Sequence, residues 1–158
     1  MEVVMMNMNA RLSEHFTLGE MIKTSAKGID NTPTHGAVMN LKNLCENWLE
    51  DLRFSYNMLY GGEEPIIINS GYRSEAVNKA IGGVPGSNHL TGCAVDIKCF
   101  GIEQAIRYAC ILLDIADGKK QDFDELLLER SPRGTYWLHL AVRPPSQENR
   151  RKIRFIQT

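Results

Sequence analysis

Ser87-Asn88-His89-Leu90-Thr91-Gly92-Cys93-Ala94-Val95-Asp96 reads as a loop running into a strand. Just upstream, Gly82-Gly83-Val84-Pro85-Gly86 is too rich in glycine and proline for regular structure, so residues 87–91 sit on a loop free to approach another segment closely. From Cys93 to Phe100, alternation puts Ala94, Asp96 and Lys98 on one face and Val95, Ile97 and Cys99 on the other, the period of a strand. His89 and Asp96 are seven residues apart, which fits neither helical ligand spacing nor a zinc finger. A loop feeding a strand, with Gly92 as its pivot, brings both to one point.

His139 follows in Tyr136-Trp137-Leu138-His139-Leu140-Ala141-Val142, where Trp137, His139 and Ala141 share one face. An imidazole among apolar neighbours needs a polar partner. Two imidazoles and a carboxylate from separate elements are the donor set of an open catalytic zinc site, which takes three protein ligands and leaves a position for water. Taken singly, each has an ordinary reading: a loop histidine, a solvated strand aspartate, a hydrogen-bonded core histidine. Cys45, Cys93, Cys99 and Cys110 form no Cys-x-x-Cys pair and read as reduced thiols, and alternation sends Cys93 and Cys99 away from Asp96, so these two read as core.

Outward from this stretch, Thr17 caps a short helix with Glu20 three residues on, and apolar residues at helical spacing mark a long helix over residues 34–58. Ile66-Ile67-Ile68-Asn69-Ser70 is β-branched and short, a buried strand, and residues 75–81 make one or two helical turns. A second amphipathic helix spans 102–117, and residues 123–129 and 135–142 form two strands joined through Ser131-Pro132-Arg133-Gly134. The tail over 144–158 carries Arg150, Arg151, Lys152 and Arg154 and reads as a solvated basic face ending in a short edge strand around residues 153–155. These elements predict an α+β fold with a small, mainly antiparallel sheet and helices packed on it.

At 158 residues the chain is expected to be one domain, 1–158, with its core at about 16–142, acting as a monomer. A net charge of −1 offers no overall positive field for nucleic acid or an anionic membrane surface. The opening MEVVMMNMNARLSEHF has no basic leader, long apolar run or cleavage site, and no segment reaches a membrane span, so the expected location is cytoplasmic.

Read jointly, Ser-x-His-x-x-Gly-x-Ala-x-Asp at residues 87–96, Trp-x-His at Trp137 and His139, and Ser-Gly-Tyr-Arg-Ser at residues 70–74 resemble the zinc D-Ala-D-Ala carboxypeptidase and L-alanyl-D-glutamate endopeptidase family, which shares its fold with the Hedgehog signalling domain. Asn78 and Gly82-Gly83 match as well, and the resemblance covers roughly residues 16–142, closest to compact phage- and prophage-type members. It implies a Hedgehog/DD-peptidase-like fold and one Zn2+ held by His89, Asp96 and His139. It further implies a substrate carboxylate gripped by Arg73, and a peptidoglycan stem peptide as substrate. For a phage-type lysis enzyme without a leader, it implies release to the wall through a membrane pore. Ser87 either fixes the loop or donates a hydrogen bond to substrate.

The family also needs a proton-transferring carboxylate. Many members place Asp or Glu three residues before the last histidine, where this chain has Tyr136. Glu129 is the expected substitute: a hairpin centred on Pro132-Arg133 sets it across from Tyr136, and at the end of the Leu126-Leu127-Leu128 run it is partly desolvated, which raises its pKa toward a useful range. Strict alternation then puts it on the face opposite His139 unless the strand bulges. Asp124 and Glu125 are the weaker candidates. The rival class is a non-catalytic module of the same fold that binds a wall peptide or a protein.

Overall fold

The computed structural model describes residues 6–158; the first five residues of the opening stretch, on which the expectation about a leader bears, lie outside the described residues. Helix α1 (Leu18–Ile22) starts where the Thr17 side chain accepts the Glu20 amide, as expected. The long helix is present as one helical run in three parts: α2 (His35–Leu44), a π-helical turn (Cys45–Leu49) in which the Glu50 amide reaches back to the Cys45 carbonyl, and α3 (Glu50–Tyr60). The Thr34 hydroxyl caps its start and Gly61, at φ 75°, ends it. Leu41, Leu44, Cys45, Trp48, Leu49 and Leu52 on this run are all 1% exposed or less. Each large apolar side chain buried this way contributes about 1.5–3 kcal/mol.

Strand β1 is shorter than the Ile-rich run suggested (Ile68–Ser70), and its pairing shifts register between Ile68 and Ser70. Next come α4 (Glu75–Ala80), a 3-10 turn (Asn88–Thr91), β2 (Ala94–Lys98), α5 (Ile102–Lys119), β3 (Glu125–Arg130), β4 (Tyr136–Ala141) and β5 (Lys152–Gln157). The sheet order is β1-β2-β4-β3-β5, antiparallel except for the parallel β3–β5 pair. The fold is therefore α+β with a mostly antiparallel sheet. No helix among the described residues is long and apolar enough to cross a membrane.

Pairing fixes what each face of the sheet carries. Val95, Ile97, Leu126, Leu138 and Leu140, none more than 2% exposed, join the same hydrophobic core as Tyr108 and Leu112 of α5. The other face carries Asp96 opposite His139, His139 opposite Leu127, and Glu129 opposite Trp137. Here the sequence reading of the hairpin needs correcting. Glu129 lies across from Trp137, and Tyr136 pairs with Arg130. The cause is the turn: Ser131 stays in the ladder, donating its amide to Thr135, and only Pro132-Arg133-Gly134 loop out, with Gly134 at φ 82°. One residue of register moves Glu129 onto the face of His139 with no bulge required. Tyr136 turns to the opposite face and packs against the core.

The basic tail is more than a solvated face. It lies along β3 as the edge strand and is pinned by Asp124, a fully buried carboxylate. Asp124 accepts from the Arg150 amide (3.0 Å), from Arg150 Nε (2.9 Å) and Nη2 (2.8 Å), and pairs with Arg143 Nε at 3.2 Å.

Candidate metal centre

The loop ahead of β2 is built to aim His89. Ser87 Oγ accepts the His89 amide at 3.2 Å, capping the 3-10 turn, and Gly92 ends that turn in the left-handed region at φ 73°. A Cβ at Gly92 would also run into the Ala37 carbonyl. The loop is stitched to the Ser70–Ser74 turn: the Arg73 amide donates to the His89 carbonyl at 3.0 Å, and His89 Nδ1 lies 2.7 Å from the Gly71 carbonyl oxygen. That carbonyl has no lone proton to give, so Nδ1 is the protonated nitrogen and Nε2 is the one left for a cation.

Gly71 is itself wedged, since a Cβ there would strike the Met21 carbonyl that accepts the Tyr72 amide. Gly71→Ala is expected to push the turn away from His89 and weaken zinc binding by about 10–100-fold, the usual cost of losing an orienting partner. Competition against a chelating dye measures this; an unchanged affinity would show that the carbonyl does not orient the ring.

Asp96 and His139 face each other across β2 and β4. Asp96 Oδ2 is 3.4 Å from His89 Nε2, Asp96 Oδ1 is 3.0 Å from His139 Nδ1, and one donor atom from each residue falls within 4.8 Å of the others. Tetrahedral bonds of about 2.0–2.2 Å separate ligand atoms by roughly 3.3 Å, so the donor chemistry and spacing fit a zinc ion with an open fourth position. All three side chains are buried, at 2%, 9% and 7% residue exposure for His89, Asp96 and His139.

Arg73 supports this group. Its Nη2 donates to Asp96 Oδ2 at 3.1 Å, Nε to Ser70 Oγ at 3.0 Å and Nη1 to Asn78 Oδ1 at 3.4 Å. A guanidinium has five N–H groups, so these bonds leave one on each terminal nitrogen. Arg73, Ser87, the three metal-type residues, Glu125, Glu129 and Trp137 all line one cleft of about 610 Å3, which Lys152 and Ile156 of β5 also line.

The charges follow from these contacts. Burial opposes ionisation of Asp96, but His89 and His139 outweigh it and hold the carboxyl below its ordinary range. Burial likewise disfavours a proton on His139, yet Asp96 and Glu125 raise its pKa to about 9. A cation binding at Nδ1 must displace that proton. Zinc affinity is therefore expected to fall about tenfold per pH unit below about pH 9, with release of about one proton at pH 7. Calorimetry in buffers of different ionisation enthalpy counts the protons, and release of none would contradict this assignment.

The three carboxylates of β3 and its approach separate clearly. Burial also opposes ionisation of Asp124, but Arg150 and Asn88 bring its pKa down to about 2, and its oxygens are spent on cations. Glu125 accepts from His139 Nε2 at 3.3 Å and from Asn88 Nδ2 at 2.8 Å, and the His139 bond first of all holds it at about 2. Glu129 alone moves upward, through burial and then the nearby Asp96 charge, while Trp137 Nε1 donates to its Oε2 at 2.7 Å. Sequence reasoning missed the Gly71 carbonyl, Asn88 and the contact of Glu125 with His139. Only the shared parity of Glu125 and Glu129 on β3 hinted at the last.

A sequence model of the family described as peptidase M15 matches residues 14–124. The chain belongs to that family. M15 peptidases are zinc-dependent metallopeptidases, which agrees with the His89, Asp96 and His139 group. The matched span of this M15 peptidase contains Arg73, Ser87, His89 and Asp96 but ends before β3, so the places of Glu125, Glu129 and His139 rest on the sheet geometry. No curated protein matches the chain.

Proposed function

We propose that this M15 peptidase hydrolyses peptidoglycan stem-peptide bonds involving D-amino acids, either trimming a terminal D-Ala or cutting within the stem as an endolysin-type endopeptidase. The observation that carries the reading is Glu129: a carboxyl with an upward-shifted pKa, in the same cleft and on the same sheet face as the metal-type residues. Zinc, when bound at His89, Asp96 and His139, supplies Lewis acidity that polarises a carbonyl and acidifies water to a pKa of about 7.

The remaining work falls to the chain. Arg73 takes a substrate carboxylate with the N–H groups left on its two terminal nitrogens, a planar grip that lysine lacks. Glu129 takes the proton from attacking water and delivers it to the amine as the C–N bond breaks. The Trp137 indole holds Oε2 of Glu129 throughout, so that carboxyl keeps one orientation. Ser87 keeps its amide contact with His89 and sits at the cleft wall, where its hydroxyl is in place to donate to substrate.

Isolated peptidoglycan incubated with the purified chain, with and without a chelator, tests this by the release of new amines. Release that the chelator abolishes is the expected result. Binding to peptidoglycan with no release would describe the non-catalytic module instead, a reading favoured by Tyr136 standing where the family's acid usually is.

A further inference from the structure

Glu125 takes no part in the proton transfer assigned to Glu129, yet its carboxylate stands against the outer nitrogen, Nε2, of His139. We infer that Glu125 is a positioning residue: its carboxylate accepts the Nε2–H of His139 and so holds that ring with Nδ1 toward the cation. The inference rests on the metal-centre reading above and deepens it.

Three observations carry it. First, the two ends of the His139 ring are occupied differently, Nδ1 at 3.0 Å from Asp96 Oδ1 and Nε2 at 3.3 Å from Glu125 Oε1. Only Nδ1 is thereby among the donor atoms, and a ring bound through one nitrogen needs an acceptor for the other. Second, the arrangement has a counterpart at His89, where the Gly71 carbonyl occupies Nδ1 and leaves Nε2 facing Asp96. The two histidines thus present opposite nitrogens, and each is held from behind by an oxygen.

Third, Glu125 is itself anchored. Asn88 Nδ2 bridges Glu125 Oε1 and Asp124 Oδ2, both at 2.8 Å, and Asp124 is clamped by Arg150. Lys152 Nζ stands 3.9 Å from Glu125 Oε2. Asn88 adjoins His89 in the chain, so one amide side chain ties the loop that bears the first ligand to the carboxylate behind the last. A mobile surface glutamate would have no such fixed geometry; this side chain is 14% exposed.

The test compares wild type, Glu125→Gln and Glu125→Ala by zinc competition, together with 15N spectra of the histidine rings in the 113Cd-loaded proteins. In wild type, cadmium is expected to couple to His139 Nδ1 and to His89 Nε2, with the His139 proton on Nε2. Glu125→Ala is expected to lose about 10–100-fold in zinc affinity. Glu125→Gln, whose side-chain oxygen still accepts from Nε2, should recover most of that loss. Cadmium coupled to His139 Nε2 in wild type overturns the inference, and so does an Ala variant that binds zinc as tightly as wild type. Equal losses in Gln and Ala overturn it too, because a loosened strand, unlike a lost acceptor, is indifferent to which side chain remains. Should the Ala variant fail to fold, the wild-type and Gln spectra still decide. A wild-type protein that binds neither metal would remove the metal-centre reading along with it, whereas tight wild-type binding with an indifferent Glu125 would remove this inference alone.

Discussion

Replacing Glu129 with Gln is expected to lower turnover on isolated peptidoglycan by more than roughly a hundredfold while the protein keeps its zinc, the scale on which general acid–base help acts. The substitution is close to isosteric, and the amide oxygen still accepts the Trp137 indole N–H that now goes to Oε2. What it removes is the ability to take a proton. Because burial and the neighbouring Asp96 push the Glu129 pKa above the ordinary range, activity should also fall as pH drops through that raised value. In wild type, then, kcat/KM should have an acid limb displaced upward from an ordinary glutamate's, and the limb should vanish in Glu129→Gln. Amine release across pH, with zinc measured on the same samples, reads both. Near-normal turnover in the variant would place the proton transfer elsewhere.

Asp124→Ala is expected to destabilise the fold by about 2–4 kcal/mol. Removing one partner of a buried ion pair typically costs 3–5 kcal/mol, mostly because the other charge is stranded. Here the Arg150 and Arg143 side chains are 48% and 28% exposed and can rehydrate, which lowers the cost. The carboxylate nevertheless accepts from the Arg150 side chain, the Arg150 amide and Asn88 and pairs with Arg143, so its loss frees the segment that leads into β5. Urea unfolding gives the magnitude, and hydrogen exchange should accelerate first over residues 152–157. If exchange there stays at the wild-type rate, the clamp does not hold the strand. The stabilisation has a sign in pH as well. The folded Asp124 pKa of about 2 lies below its ordinary value, so the contribution is complete above about pH 4 and disappears as pH falls toward 2.

The residues of the site were legible in the sequence because their signals are local. Alternation through Ala94, Asp96 and Lys98 is a property of one strand, and it placed Asp96 away from the core without reference to any partner. The same held for His139 between Leu138 and Leu140. Glu129 stands out in the sequence by its position after three leucines, and the sheet sets it on the face of His139 although the pairing expected from the turn is off by one residue. Register depends on whether Ser131 belongs to the loop or to the ladder, and a Ser-Pro-Arg-Gly string suits a loop of three residues as well as four. The contact of Glu125 with His139, and the places of Asn88 and the Gly71 carbonyl, were out of reach for a related reason: each is a contact between segments distant in the chain. So too with the tail. Arg150 and its neighbours look like a solvated basic run until Asp124, 26 residues earlier, is found buried beneath Arg150.

The centre itself is tested most directly by crystals grown with zinc and measured on both sides of its absorption edge. The account predicts a single anomalous peak at about 2.0–2.2 Å from His89 Nε2, an Asp96 carboxylate oxygen and His139 Nδ1, with solvent completing the shell. A peak elsewhere, or those three side chains with no metal among them at saturating zinc, would contradict it.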